Sequence, residues 1–232
     1  MKSKMFYNVL TLVTVALVLS SCEKMTLVKS AESEESKNAN VVLRVAQFEQ
    51  TPFPDATRAS NVTGLCSRLN FLVYSQDGTR IRQENQKAED DGFGEARFML
   101  SEGHYFVVVL AHSSAGSVTS ANAKNIYFAK AADFTDTFLY ADSLIVGDNI
   151  VDKNLELHRI VSMVRFVFDD PIPAKADYIH FDYNGGSRGF DATNGGRGLS
   201  SSSISQQTQW YNISHTENKF EIFTIQIGRA HV

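Results

Sequence analysis

The stretch LNFLVYSQDGTRI, residues 69–81, decides the fold class of this chain. Three apolar residues recur at every second position and would share one face of a β-strand: Leu69, Phe71 and Val73. Asp77-Gly78 follows, and this dipeptide is a strong signal for a turn between two strands. The stretch therefore predicts a β-hairpin.

The same period of two recurs along the chain. In EARFMLSEGHYFVVVLAHSS, residues 95–114, two alternating runs flank Glu102-Gly103, which predicts a second hairpin. A β-branched run from Ile160 to Phe168 ends at Asp169-Asp170-Pro171, where proline removes a donor from the hydrogen-bond ladder. Alternation returns in DYIHFDY and KFEIFTI, and no long stretch has the spacing of an amphipathic helix.

Short strands separated by turns predict an all-β fold of antiparallel sandwiches. We expect two domains, residues 41–157 and residues 158–226. The second run contains too few strands to close, so we expect that domain to be incomplete. The strand at Leu155 could belong to either domain.

The N-terminus has a different composition. Lys2 and Lys4 precede the apolar segment Val9–Leu19, and this pattern is typical of a secretory signal peptide, here residues 1–21. Leu19-Ser20-Ser21-Cys22 resembles the bacterial lipobox, in which the cysteine becomes the lipidated first residue of the mature chain. Several acyl chains hold a protein on a membrane far more firmly than one. An ordinary signal peptide with an incidental cysteine is the alternative.

Residues 22–40 are polar and charged without periodicity. Their Glu, Ser and Lys side chains bury too little apolar area to offset the entropy of ordering. We therefore expect a flexible linker between the lipid on Cys22 and the folded part.

Charge and cysteine content exclude several classes of protein. A net charge of −4 gives no global attraction to nucleic acid. Cys22 and Cys66 are the two cysteines, which excludes a disulfide scaffold and a cysteine-based zinc site. Cys66 precedes a predicted strand and is expected to be a small buried side chain.

No motif predicts catalysis. The Gly-rich stretch YNGGSRGFDATNGGRGLSSSS, residues 183–203, lacks the Gly-Lys-Ser/Thr of a phosphate loop and is interpreted as a mobile loop. None of the six histidines is spaced as a metal ligand, and His180 and Asp182 are expected on a solvated strand face. We predict that the chain is not an enzyme and has no catalytic residue, metal or cofactor.

One short motif suggests a modification. Asp142-Ser143-Leu144 resembles the acceptor motif for O-glycosylation in some gut anaerobes. Ser143 is therefore a candidate O-glycosylation site.

An ordered set of motifs carries a family resemblance. After the lipobox and the polar linker come VVLRVAQFEQTPFPDATRAS, CSRLNFLVYSQDGTRI, FMLSEGHYFVVVLAHSS, TDTFLYADSLIVG and LELHRIVSMVRFVFDD. Together they resemble the FimB/Mfa-like fimbrial subunits of Gram-negative gut and oral anaerobes, in the fimbrillin superfamily of type V pili. The resemblance extends from Val41 to about Ile225 and implies two transthyretin-like β-sandwich domains. It also implies an outer-membrane lipoprotein at the cell surface or in a fimbrium, with other fimbrial subunits as partners.

The resemblance also implies a mode of assembly. In such subunits an N-terminal strand completes its own sheet until proteolysis after an arginine releases it, and a partner's strand then fills the groove. Arg58, in the segment Thr57-Arg58-Ala59, is the candidate processing site. A subunit that anchors the pilus base would instead keep this strand, and Arg58 would then be an ordinary loop residue.

Two further expectations remain. The last six residues, IGRAHV, break the preceding alternation and can be written in codons that match a common sequencing adapter, so we expect the natural sequence to end its match near Gln226. The alternative function is a surface lipoprotein that binds a glycan, with the aromatic pair Trp210-Tyr211 as its candidate contact. A host glycan or protein is then a partner. An exported hydrolase is the third alternative, for which the sequence supplies no nucleophile or paired carboxylates.

Overall fold

The computed structural model describes residues 38–49, 62–129, 134–183, 185–201, 207–213 and 218–226. The chain divides into two compact units, residues 1–38 and 39–232, and the described strands belong to the second. The regular elements in the described ranges are β-strands, apart from two 3₁₀ turns at Val62–Gly64 and Ala192–Asn194. The predicted all-β, sandwich-like fold is confirmed.

The described residues contain sixteen strands, which are numbered in chain order. They are β1 Val41–Glu49, β2 Arg68–Tyr74, β3 Arg80–Lys87, β4 Glu95–Phe98, β5 Gly103–His112, β6 Val118–Asn122, β7 Asn125–Phe128, β8 Phe138–Val146, β9 Val151–Arg159, β10 Val161–Val167, β11 Tyr178–Tyr183, β12 Gly186–Ser187, β13 Gly189–Asp191, β14 Arg197–Gly198, β15 Gln207–Asn212 and β16 Lys219–Gln226. Among these same residues, no helix is long and apolar enough to cross a bilayer.

Seven of these strands form one large sheet in the order β3-β2-β5-β8-β9-β1-β4. Its ladders are antiparallel except for β1 and β9, which run parallel. The Gln86 side chain of β3 donates to the carbonyl of Glu95 in β4 at 2.6 Å and accepts from the Gly94 amide at 2.9 Å. This amide joins the two outermost strands, so the large sheet curls back on itself.

Alternation divides the side chains of the large sheet between two cores. The inner face carries Leu69, Phe71 and Val73, all fully buried, together with alternate residues of β1, β5, β8 and β9. The outer face carries Leu72, Tyr74 and Leu110, which pack against residues of β7, β13 and β16. Both faces of β2 and β5 are therefore buried along part of their length, which explains the continuous apolar run in β5.

The smaller sheets are β14-β13-β7-β6, β10-β16-β12 and β11-β15. The first of them pairs β7 with β13, strands from the two sides of the boundary predicted at residues 157 and 158. The division into two domains stays a prediction.

The interpretation of residues 183–203 as a mobile loop is wrong for residues 186–198. These residues form β12, β13 and β14 with a 3₁₀ turn between them. Phe190 and Ser187 are fully buried, and the Arg188 guanidinium donates to the Phe128 carbonyl at 2.6 Å. The glycines provide tight turns around a buried aromatic ring.

The two predicted hairpins have different outcomes. β2 and β3 pair antiparallel from Arg68 opposite Lys87 to Tyr74 opposite Arg80, which confirms the first. The second is wrong, because β4 pairs with β1 and β5 pairs with β2 and β8. The turn at Glu102-Gly103 redirects the chain to another part of the sheet, although both flanking runs bury their apolar residues in the inner core.

Candidate functional site

β1 lies inside the large sheet, between β9 and β4. It pairs in parallel with β9 from Val41 opposite Val151 to Glu49 opposite His158, and antiparallel with β4 over its first four residues. Its inner-face side chains Val41 and Leu43 are 0% exposed. Without β1, both β9 and β4 would lose a hydrogen-bonded neighbour, and an apolar groove would open between them.

Asn40 fixes the start of β1 to both neighbouring strands. Its side-chain amide donates to the Leu100 carbonyl at 2.8 Å and accepts from the Leu100 amide at 2.9 Å. Its backbone N–H donates to the Phe98 carbonyl, and its backbone carbonyl accepts from the Val151 amide at 2.8 Å. One asparagine therefore sets the position of β1 along the groove.

Arg44 joins β1 to both neighbours by charge. Its Nε donates to Glu95 of β4 at 2.7 Å, and its Nη1 donates to Asp152 of β9. These hydrogen bonds, the one to Asp152 foremost, raise the pKa of Arg44. Partial burial acts to raise the pKa of Glu95, but hydrogen bonds from Arg44 and Arg97 outweigh it and hold this pKa below its ordinary value.

The second half of β1 is held differently. The register shifts between Val45 and Gln47, and from there to Glu49 the strand pairs with β9 alone. Phe48 packs edge-on against Phe138, with ring centroids 5.0 Å apart, and Glu49 forms an ion pair with His158. This end of β1 leads towards residues 50–61, which contain Arg58.

The predicted processing and lipidation sites, Arg58 and Cys22, lie outside the described residues, as do the signal peptide and residues 227–232. Ser143 is described. It is exposed on β8 opposite Phe106, and its backbone N–H donates to the Asp142 carboxylate at 2.7 Å. Its glycosylation stays a prediction.

The remaining residues singled out from the sequence do not converge on one site. Cys66 is 2% exposed, and its burial raises the pKa of its thiol to about 12, which confirms the expected small buried side chain. His180 and Asp182 are exposed on β11, as predicted. Trp210 and Tyr211 lie in β15, opposite His180 and Ile179 of β11. The described residues hold no cluster of three His, Cys, Asp or Glu side chains that could bind a metal ion.

Sequence reasoning located β1 but missed Asn40 and Arg44. Their partners are distant in the chain: Arg44 contacts residues 51 and 108 positions away. No local pattern marks such a pair, because it depends on the register of three strands.

Comparisons with known proteins give loose structural likenesses. No protein-family model matches the chain. No curated protein matches it either. Solved structures similar to it include a candidate adhesin from Bacteroides ovatus, at 13% identity and a TM-score of 0.49, covering 83% of this chain and 68% of that one.

Two other similar structures are named for fimbriae. The fimbrial anchor protein Mfa2 from Porphyromonas gingivalis is 11% identical, with a TM-score of 0.41, covering 82% of this chain and 74% of that one. A fimbrial assembly protein from Parabacteroides distasonis is 12% identical, with a TM-score of 0.36, covering 82% of this chain and 77% of that one. At such scores the likeness is loose, so the function proposed below rests on the chain's own residues.

Proposed function

We propose that this chain is an outer-membrane lipoprotein that serves as an accessory or anchoring subunit of a cell-surface fimbria and assembles by β-strand complementation. The observation that carries the proposal is the position of β1, a nine-residue strand held between two others at the N-terminal end of the folded part. The lipobox-like segment at Cys22 and the ordered motifs that resemble FimB/Mfa-like subunits support it.

The position of β1 suggests how a partner would bind. Main-chain groups of β9 and β4 supply hydrogen bonds to any strand in the groove, and the pockets filled by Val41, Leu43 and Val45 select its side chains. A partner strand with apolar residues at alternate positions would reproduce these contacts. While β1 stays in place, the groove is closed and the chain remains tied to the lipid on Cys22.

Cleavage after Arg58 distinguishes two roles within a fimbria. We expect an arginine-specific protease to produce a new N-terminus at Ala59 if the subunit polymerises, and to leave the chain uncut there if it anchors the pilus base. Sequencing the N-terminus of the treated protein measures this, and Arg58→Gln is the control that should abolish cleavage at this bond. A folded product that starts at Ala59 yet binds no subunit strand would contradict strand complementation.

Lipidation is tested separately. Mass spectrometry of the protein isolated from cells should find an acylated Cys22 at the N-terminus, and Cys22→Ser should release the chain from the outer-membrane fraction. Cofractionation with sheared surface filaments would place the protein in the fimbria, whereas retention in the membrane would favour the anchor. An unacylated mature terminus would contradict the lipoprotein.

Modification of Ser143 is an additional part of the proposal. Its exposed position on β8 leaves the side chain accessible to a glycosyltransferase. A glycan mass on the peptide that contains Ser143, absent in Ser143→Ala, would support it, and an unmodified peptide from native cells would contradict it.

A further inference from the structure

A polar cleft lies on the outer face of β2 and β3, where the smaller sheets do not cover it. Its volume is about 320 Å³, within the range of small-ligand sites. It is lined by charged and amide side chains from three strands: Arg68, Asn70, Gln83, Asn85, Lys87 and His112. None of these residues contacts β1 through the hydrogen bonds described above.

A chain of hydrogen bonds orders the floor of this cleft. The Ser114 amide donates to Nδ1 of His112 at 3.2 Å, so Nε2 carries the proton and donates to Oδ1 of Asn70 at 2.9 Å. Nδ2 of Asn70 in turn donates to Oδ1 of Asn85 at 2.7 Å, and Gln83 donates to the same oxygen at 2.6 Å. Because Oδ1 of Asn85 is occupied twice, the chain turns its Nδ2 group into the cleft as a donor.

The buried histidine holds this order at neutral pH. His112 is 1% exposed, and burial lowers its pKa to about 4, with the charge of Arg68 adding to the effect. The ring is therefore neutral, with one donor and one acceptor nitrogen, as the chain requires. It contributes orientation and no charge.

Two cations face each other at one end of the cleft. Arg68 and Lys87 are directly opposite in the β2–β3 ladder, and His112 is opposite Arg68 in the β2–β5 ladder. Like charges directly opposite in a sheet destabilise it. In the described residues, no carboxylate lies within 4 Å of the Arg68 guanidinium, and Lys87 has a 3.8 Å contact with the exposed Glu89.

One carboxylate also lines the cleft. An oxygen of Asp90 accepts from the backbone amide of Lys87 at 2.7 Å. The ionised side chains that line the cleft are then Arg68, Lys87 and Asp90, which leaves a net positive charge. An anion bound between the two cations would offset their repulsion.

We propose that this cleft binds an acidic saccharide, with its carboxylate or sulfate between Arg68 and Lys87 and its hydroxyl groups on Asn85 and Gln83. An arginine fork suits the planar geometry of a carboxylate. The neighbouring amides offer both donors and acceptors, as sugar hydroxyls require. The lining is almost wholly polar, apart from Val118 and Gly116, and so provides no apolar pocket for the side chains of a peptide.

The test is calorimetric titration of the full chain, purified in detergent, with matched saccharides. The probes are sialyllactose and a galacturonic acid trimer for the carboxylate, a chondroitin sulfate tetrasaccharide for the sulfate, and lactose as the neutral counterpart. An acidic hexapeptide of Asp and Glu tests the alternative source of carboxylates. We expect at least one acidic saccharide to bind more tightly than lactose and the peptide.

Variants locate the binding. Arg68→Gln and Lys87→Gln should each weaken the acidic saccharide about tenfold or more, the usual loss for a charge-assisted hydrogen bond. Lys87 is exposed, so its replacement leaves the fold intact even if Arg68→Gln does not. Lys124→Gln is the matched control, because it removes one exposed cation from the turn between β6 and β7 and should leave affinity unchanged.

Three outcomes would overturn the proposal: no acidic saccharide binds better than lactose, the peptide binds as tightly as the best saccharide, or Lys87→Gln and Lys124→Gln weaken binding equally. A preference for sialyllactose, galacturonate or chondroitin sulfate identifies the anionic group. The site is independent of fimbrial assembly, since none of these variants alters β1, Arg58 or Cys22.

Discussion

Strand complementation makes a quantitative prediction about Leu43, the central buried residue of β1. A protease site engineered into residues 50–61 would allow the full chain to be cut after folding, leaving β1 held by non-covalent contacts alone. A fluorescent peptide of residues 38–49 should then exchange into the groove between β9 and β4. The peptide carries Asn40 and Arg44, and so can restore every fastening of the native strand.

The magnitude follows from burial. Leu43 is 0% exposed in the inner core, so Leu43→Ala in the peptide should cost about 2–5 kcal/mol, a loss of roughly 30-fold or more in affinity. Gln47 is exposed on the same strand, and Gln47→Ala should change affinity by about 0.5 kcal/mol or less. The two peptides have the same length and differ at one position each.

Competition measured by fluorescence anisotropy compares the peptides directly. Unlabelled wild-type and Gln47→Ala peptides should displace the label at similar concentrations, while Leu43→Ala should require far more. Equal displacement by all three would refute the idea that side-chain pockets select the strand. A cut chain that stays folded yet takes up no peptide would refute an exchangeable β1.

Three further changes test the fold and the cleft. Gly196 has φ +78°, and an added Cβ would lie 2.8 Å from a neighbouring side chain, whereas Gly195, at φ +62°, has open space; Gly196→Ala should therefore destabilise by about 1–3 kcal/mol more than Gly195→Ala in urea denaturation. Ser114→Ala removes a buried hydroxyl with no partner among the described residues and should be neutral or stabilising, whereas Ser120→Ala breaks a hydrogen bond with an arginine and should cost about 1–3 kcal/mol. Because His112 has a lowered pKa, its stabilisation of about 3 kcal/mol is complete above pH 6.5 and is lost as the pH falls towards 4. The stability difference between wild type and His112→Gln should shrink over that range, and a constant difference would contradict burial of a neutral ring.

Local alternation predicted which side chains are buried but not which strands are neighbours. Leu69, Phe71 and Val73 are all 0% exposed, as their spacing predicts. The pairing of β4 with β1 could not be read in this way, because a turn at Glu102-Gly103 gives the direction of the chain and not its destination. The parallel ladder of β1 and β9 joins residues more than a hundred positions apart, and its register is set by the shared inner core.

Composition misled the prediction for the Gly-rich segment. Its many glycines and serines are typical of a loop, yet Phe190 at its centre is 0% exposed and Gly189–Asp191 forms a strand beside β7. A lone aromatic residue in such a stretch indicates an anchor in a core. The same limitation applies to the polar cleft, since Arg68, Lys87 and His112 look unrelated in the sequence until three ladders place them in one row.

The two proposed sites use opposite faces of one sheet, and this separates their chemistry. Strand exchange at β1 depends on the inner face and on the edges of β9 and β4, whereas the cleft is built on the outer face of β2, β3 and β5. Gln86 joins the two regions, because it lines the cleft and its side chain closes the sheet from β3 to β4. Release of β1 would free β4 from its second neighbour and leave Gln86 as its remaining described link to the sheet. If β4 moves with β1, saccharide affinity at Lys87 should change when the groove is emptied, and should return when the peptide of residues 38–49 is added back; an affinity that is the same in both states would show that the two faces act independently.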